Sequence, residues 1–188
     1  MDITHNIALI PHRAYTINFN KGLNFFALPV IMEDVTTNYD LFDLLGGCKD
    51  IQKMSLYQNK DIPLYCLEID GNPYGEPSEL NNYQGVWLMM RQAKTISFEG
   101  RPDNLPLQLN KGLNITGLPS IFDGKTAYEL FDILGSTNMN SIEFFDTADT
   151  AYFKVQMVEG QHSGKDFHLK AGMAYIIKMN VDIVVQGQ

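Results

Sequence analysis

The sequence repeats itself, and this internal repeat constrains the fold more than any other feature. The segment 20–24 (NKGLN) returns as 110–114, and the Leu-Pro pair at 28–29 returns at 118–119, both ninety residues later. A repeat this long exceeds the roughly 20 to 50 residues that are usual in solenoid proteins. Each copy is therefore expected to be a small domain with a core of its own.

Further segments extend the alignment of the two copies. The stretch 37–46 (TNYDLFDLLG) matches 126–135 (TAYELFDILG), and we also align 85–90 with 172–177 and 96–100 with 183–187. The chain has 188 residues, enough for two small domains. The predicted organisation is an N-terminal arm or strand (1–14), a first module (15–100), a short Pro- and Asn-containing linker (101–104) and a second module (105–188).

Each copy carries the start signal of one short helix. Thr37 stands three residues before Asp40, and Thr126 stands three before Glu129, which is the spacing of a capping box. The apolar residues at 41–45 form one stripe, and a glycine follows them. We predict a helix of about two turns at this place in each module.

The remaining segments read as strands, because they alternate or are rich in β-branched and aromatic residues. In the first module these are 15–19, 23–30, 53–57, 64–69, 86–91 and 95–98. The predicted fold class is α+β and β-rich: two tandem homologous modules, each a mostly antiparallel sheet of five to six strands with one short helix.

Composition excludes several classes of protein. Hydrophobic residues make up 45% of the chain and charged residues 19%, which is a folded composition. The net charge of −8 opposes binding to a phosphate backbone, so we expect no nucleic-acid partner. The longest apolar run, 25–32, contains proline and is too short to span a membrane. The N-terminus has no basic residues ahead of a long apolar segment, so it lacks the layout of a secretory signal; either a signal has been removed or none exists.

The order of these features resembles a family of tandem repeats in bacterial and archaeal surface proteins. Those repeats read approximately Gly-Trp-Asn-Leu-Ile-Ser-x-Pro at the start and Gly-x-Gly-Tyr-Trp-Ile near the end. The similar segments here are 22–29 (GLNFFALP) with 85–88 (GVWL), and 112–119 (GLNITGLP) with 172–175 (GMAY). The resemblance implies an extracellular or assembly module with no catalytic residues to carry over.

Motifs for catalysis or cofactor binding are not evident in the sequence. The four histidines, His5, His12, His162 and His168, lack the spacing of metal ligands, and no nucleophile elbow, Walker loop or dinucleotide fingerprint occurs. We expect no enzyme activity, no cofactor and no metal.

Two groups of acidic residues are candidates for metal binding or catalysis. Asp43 and Asp132 recur in both helices, where a solvated helix face is the favoured interpretation. Calcium at Asp70, Asn72 and Glu76 is disfavoured, because the intervening 73–74 do not fit an EF-hand loop.

The only cysteines, Cys48 and Cys66, lie in the first module and have no counterparts in the second. We expect both cysteines to be buried, reduced thiols; a disulfide between them is the alternative.

Candidate partner contacts are concentrated in the loop 70–79 and its neighbourhood. The loop carries Tyr74 between Asn72 and Glu76 and is longer than its counterpart in the second module. A flat sugar platform could be lined by Trp87, Tyr83, Tyr74, Tyr57 and Tyr65, but a core or inter-module tryptophan is the favoured interpretation of Trp87. At the N-terminus, Ile7 and Leu9 belong to an apolar run that could add a strand to the chain's own sheet or to another subunit.

These features are compatible with three functions. The first is a non-enzymatic structural protein of a particle, namely an accessory virion protein of a bacterial virus such as a head-decoration, fibre-base or tail component. Its partners would be other protein subunits, including copies of itself, and its place the virion or an extracellular surface. The second is a bacterial cell-surface or secreted adhesion module that binds glycans. The third is an enzyme whose site has no recognised motif.

Overall fold

The computed structural model describes residues 12–58, 60–69, 71–102, 105–147 and 151–186. The first half forms β1 (Arg13–Phe19), β2 (Gly22–Ala27), β3 (Val30–Ile31), α1 (Asn38–Leu44), α2 (Gly47–Asp50), β4 (Ile51–Tyr57), β5 (Asp61–Tyr65), β6 (Tyr74–Gly75), β7 (Gly85–Met90) and β8 (Lys94–Pro102). The second half forms β9 (Leu107–Leu109), β10 (Gly112–Thr116), a 3₁₀ turn (Ser120–Phe122), α3 (Ala127–Leu134), β11 (Met139–Asp146), β12 (Ala151–Val158), β13 (Gln161–Gly164), β14 (Tyr175–Met179) and β15 (Ile183–Val185). Within the described residues, no helix is long and apolar enough to cross a bilayer.

The strands form several antiparallel sheets, which confirms the β-rich prediction. One five-stranded sheet has the order β2-β7-β4-β5-β6, and another has the order β10-β14-β11-β12-β13. A three-stranded sheet, β1-β8-β3, accompanies the first, and the pair β15-β9 accompanies the second. Strands that occupy the same position in the two five-stranded sheets also follow the same sequence order.

The repeated NKGLN segment forms a tight turn that its last asparagine holds closed. Asn24 is buried; its Oδ1 accepts a hydrogen bond from Asn20 N–H at 2.9 Å, and its Nδ2 donates to Asn20 O at 2.8 Å. Asn114 makes the same two bonds to Asn110, at 2.9 and 2.7 Å. The third position needs a positive φ, and the glycine there, Gly22, has φ of 96°. Local geometry therefore explains why the segment recurs.

Both predicted helices are present and begin where the capping boxes are. Thr37 and Thr126 each accept a hydrogen bond from the backbone N–H three residues on, and the acidic side chain at that position returns a bond to the cap. Each helix buries a Leu-Phe pair against its own five-stranded sheet. The residues are Leu41 and Phe42 in α1, and Leu130 and Phe131 in α3.

Each half has its own hydrophobic core. In the first half, rings from three strands pack together: Phe19 lies 5.0 Å from Phe26 and 6.5 Å from Phe98, centroid to centroid. The three-stranded sheet thus covers the same face of the five-stranded sheet that α1 covers. The other face of the five-stranded sheet is left for contacts outside this core.

The two cysteines are joined by a disulfide, so the expectation of reduced thiols is wrong. Cys48 lies in α2 and Cys66 directly follows β5, with their Cα atoms 5.3 Å apart. Arg91 supports the bridge by donating to both cysteine carbonyls, at 3.0 Å to Cys48 O and 3.3 Å to Cys66 O. The pairing is not local, because 18 residues separate the cysteines, and no sequence pattern placed Cys66 beside α2.

Several predicted segment boundaries differ from those observed. The segment 64–69 is a strand only as far as Tyr65, and residues 67–69 are exposed. The segment 23–30 is interrupted after Ala27, where Leu28 and Pro29 leave the sheet. β8 continues through Arg101 and Pro102, which pair with β3, so half of the predicted linker 101–104 belongs to a strand. Most of the predicted N-terminal arm, 1–11, lies outside the described residues.

Strand pairing also corrects the end of our repeat alignment. Ser55 pairs with Trp87 across β4 and β7, while the matching position in β11, Glu143, pairs with Ile176. The structural counterpart of Trp87 is therefore Ile176 and not Ala174. A slip of two residues keeps every side chain on the same face of the sheet, so the alternation could not reveal it.

Candidate functional site

The outer face of the first five-stranded sheet carries a row of aromatic side chains around one lysine. Tyr74 pairs with Tyr65 across β6 and β5, and Tyr65 pairs with Lys53 of β4. The ammonium of Lys53 lies 4.8 Å from the ring centroid of Tyr65 and 4.2 Å from that of Trp87, both within cation–π range. We call these four residues, Lys53, Tyr65, Tyr74 and Trp87, the aromatic face.

Apolar side chains extend the aromatic face into solvent. Tyr74 is 74% exposed and Leu67, which follows the buried Cys66, is 88% exposed. Ile69 is also more than half exposed. Single exposed apolar residues are normal, so the feature of note is that three of them lie within about ten residues of one another in the chain.

The loop between β5 and β7 is held to the start of α1. Asn38, which is fully buried, donates through Nδ2 to Glu76 O at 2.9 Å, and its Oδ1 accepts from Ser78 N–H at 2.9 Å. Tyr39 donates its hydroxyl to Gly75 O at 2.9 Å. These bonds fix the loop backbone, and one of them occupies the Gly75 carbonyl of the edge strand β6.

The predicted contact residues of this loop point to solvent. Asn72 and Glu76 are exposed, as Tyr74 is. Glu76 lies 3.6 Å from Lys60 in an ion pair in which both side chains are exposed, and such pairs contribute little to stability. The loop therefore combines a fixed backbone with exposed side chains.

Tyr83 does not belong to the same surface, which corrects the proposed pairing of Tyr83 with Trp87 on one sugar platform. Its side chain is 3% exposed and its hydroxyl donates to Leu105 O at 2.9 Å. Its carbonyl accepts from Gly117 N–H at 2.7 Å and from the Thr116 hydroxyl at 2.8 Å. Tyr83 thus joins the two halves of the chain, whereas Trp87 lies on the aromatic face. Ile7 and Leu9 lie outside the described residues.

A second cluster, which the sequence analysis missed, lies on the outer face of the second sheet. The carboxylate of Glu143 accepts hydrogen bonds from the Tyr152 hydroxyl and from the Lys154 ammonium, the latter at 3.0 Å. Together with Phe25, Phe145 and other apolar residues of both halves, it lines a small cleft of about 250 Å³.

The electrostatics of this cluster suit a structural role. Burial works to raise the pKa of Glu143, but the hydrogen bonds from Tyr152 and Lys154 outweigh burial and hold that pKa below its usual value. Burial and the Glu143 carboxylate raise the pKa of Tyr152 to about 12. Near neutral pH, Glu143 is therefore ionised and engaged with both partners, and Tyr152 is protonated.

One described histidine, His162, lies beside one of the helix acids, Asp132. His162 packs 4.5 Å from the ring of Tyr128, and its Nε2 is 3.6 Å from an Asp132 oxygen. His168 Nδ1 lies 3.2 Å from Gly124 O. Asp43 is exposed on α1, as the solvated-face interpretation expects. Among the described residues no group of three or more His, Cys, Asp or Glu side chains could hold a metal ion.

No protein-family model matches the chain, and neither any curated protein nor any solved structure is significantly similar to it.

Lys53 is the member of the aromatic face that sequence reasoning did not select. It begins the predicted strand 53–57, and the alternation of that strand was the available signal. Only the pairing of β4 with β5 and β7 shows that Lys53 meets Tyr65 and Trp87.

Proposed function

We propose that this chain is a non-enzymatic structural protein that docks through its aromatic face onto another protein subunit of a particle. The single observation that carries the proposal is the exposed pair Tyr65 and Tyr74 where β5 meets β6, with the exposed Leu67 two residues after Tyr65. We propose further that the particle is the virion of a bacterial virus, as the sequence analysis expects.

The residue types support a protein partner. Tyrosine and tryptophan are enriched among the residues that dominate binding energy, because they bury a large area and lose little conformational entropy. Burying Leu67 alone would contribute about 1.5–3 kcal/mol. Glu68 and Glu76 are exposed beside the apolar residues, which gives the polar rim that such interfaces have.

We also propose that the two halves are copies of one module. Their five-stranded sheets share one strand order, and the tyrosine at the helix start makes the same contact in each: Tyr39 donates to Gly75 O, and Tyr128 donates to Gly164 O at 2.8 Å. The two glycines also share a close approach to the neighbouring strand: a Cβ on either would overlap a backbone carbonyl of that strand.

The copies differ on the face that we propose for docking. At the positions equivalent to Lys53 and Tyr65, the second sheet has Ser141 and Gln156, which pair with each other. The first module would therefore make the partner contact, and the second would contribute a different surface.

Light scattering and sedimentation test the docking proposal. We expect the untagged protein either to form a multiple of its 21.3 kDa mass alone or to sediment with particles purified from its source. The double variant Leu67→Ser/Tyr74→Ala should lose this association. The matched control Ile133→Ser, which removes an apolar side chain that is also more than half exposed, from α3, should keep it.

Two results would contradict the proposal. One is a wild-type protein that stays at 21.3 kDa and remains in the supernatant with particles present. The other is a double variant that associates as the wild type does. Recovery of the native protein as a free monomer from uninfected cells or their culture fluid would refute the virion assignment.

A further inference from the structure

A second surface, distinct from the aromatic face, forms a cleft between the two halves of the chain. It has a volume of about 370 Å³, which is within the usual range of small-ligand sites. Its walls come from the end of β4, the segment before β7, β9 and β10. Of the fourteen residues that line it, seven are asparagine or glutamine, and none of the fourteen is charged.

The absence of charge among these lining residues contrasts with the rest of the chain. It carries 14 Lys and Arg and 22 Asp and Glu, with a net charge of −8. A cleft without a cation offers no ion pair to a phosphate or carboxylate ligand, and the surrounding negative charge opposes such a ligand. A neutral ligand is therefore the class that fits.

Part of the cleft is a fixed amide network. Gln84 is buried; it donates to Tyr57 O at 2.9 Å, and its Oε1 accepts from Gln58 Nε2 at 3.0 Å. Gln58 also donates to Glu79 O at 2.8 Å. These amides hold one wall in place, so the cleft does not depend on a mobile side chain for its shape.

Other amides at the rim remain available to a ligand. Asn81 and Asn82 are exposed, and their side chains make no hydrogen bond within the part of the chain that the structure describes. On the opposite wall, Gln108 Nε2 donates to Asn110 Oδ1 in a long hydrogen bond of 3.5 Å. Leu113 adds an exposed apolar side chain.

We propose that this cleft binds a neutral oligosaccharide. Each sugar hydroxyl both donates and accepts hydrogen bonds, and each primary amide does the same, so Asn and Gln match hydroxyls without a charged group. The apolar side of a sugar ring can lie against Leu113. The cleft shares no lining residue with the aromatic face, so this proposal does not rest on the docking function.

The test is a ¹⁵N NMR titration of the full chain with three linear probes: cellopentaose, maltopentaose and chitotetraose. We expect at least one probe to shift the side-chain amide signals of Asn81, Asn82 or Asn110 in a saturable manner. The double variant Asn81→Ala/Asn82→Ala should weaken that binding about tenfold, since each lost hydrogen bond changes affinity by a few-fold. The matched control Asn72→Ala removes an exposed amide from the distant loop and should bind as the wild type does.

Three outcomes would overturn the proposal. The first is that none of the three saccharides shifts these signals at millimolar concentration. The second is that the shifts map to Trp87 and Tyr65 and are unchanged in the double variant, which would place the sugar on the aromatic face. The third is that a neutral Gly-Ser octapeptide binds the cleft and the saccharides do not, which would make it a peptide site.

Discussion

Replacing Asn24 with alanine should destabilise the first half of the chain through the loss of one defined turn. The Asn24 side chain is 2% exposed and makes three hydrogen bonds, two to Asn20 and one to Gly22 O at 3.0 Å. A hydrogen bond contributes about 1 kcal/mol net, which gives an upper figure of about 3 kcal/mol. Asn20 is exposed, so water can satisfy part of its lost bonding, and we expect a loss of about 2 kcal/mol in the free energy of unfolding.

Urea unfolding and thermal unfolding followed by circular dichroism measure this loss. For a chain of this size, 2 kcal/mol corresponds to a decrease of about 4–8 °C in Tm. Asn114→Ala removes the same contacts at a more exposed turn and should cost about 1 kcal/mol. Asn18→Ala is the control, because Asn18 makes one exposed bond to Thr95 and should change stability by less than about 0.5 kcal/mol.

The reasoning is refuted if Asn24→Ala lies within about 0.5 kcal/mol of the wild type, or costs no more than Asn18→Ala. Either result would mean that the turn forms without its asparagine. The recurrence of NKGLN would then need another explanation.

Three more perturbations probe other parts of the structure. The double variant Cys48→Ser/Cys66→Ser should lose about 3 kcal/mol in urea unfolding, from the closure of an 18-residue loop, and a reducing agent should affect only the wild type. Lys94→Met removes the partner, at 2.6 Å, of the buried Asp50 carboxylate and should cost about 3 kcal/mol near pH 7. The Lys94 hydrogen bond is the main cause of the lowered pKa of Asp50, so the stability from this pair is present above the ordinary pKa of 3.8 and is lost as pH falls through the lower folded value. The stability of the variant should therefore fall less than that of the wild type as the solution is acidified below the ordinary pKa. Gly164→Ala places a Cβ against Lys154 O at a positive φ and should cost at least about 2 kcal/mol, while Gly160→Ala, which meets open space, should cost about 1 kcal/mol; equal losses would contradict the close approach.

The features that could be predicted from the sequence are those with local causes. The helices that follow Thr37 and Thr126 could be predicted because a capping box lies within four residues. The alternation of apolar residues likewise predicted most strands, since it depends only on neighbouring positions. The NKGLN repeat was recognised as a unit, although the role of Asn24 in closing the turn was not.

The features that could not be predicted depend on which strands become neighbours. The Cys48–Cys66 bridge and the Lys53–Tyr65 contact join residues that only pairing brings together. The counterpart of Trp87 was misplaced by two residues, because that slip leaves the alternation intact. The amide-lined cleft was missed for the same reason, since its walls come from both halves of the chain.

Hydroxyl-radical footprinting of the protein, free and bound to particles from its source, tests the docking proposal most directly. The method reports the solvent exposure of individual side chains, and the free protein exposes Leu67 and Tyr74 strongly. We predict that both become protected in the bound state, while Ile133 on α3 is modified equally in the two states. Equal modification of Leu67 and Tyr74 in both states would contradict the claim that this face binds the partner.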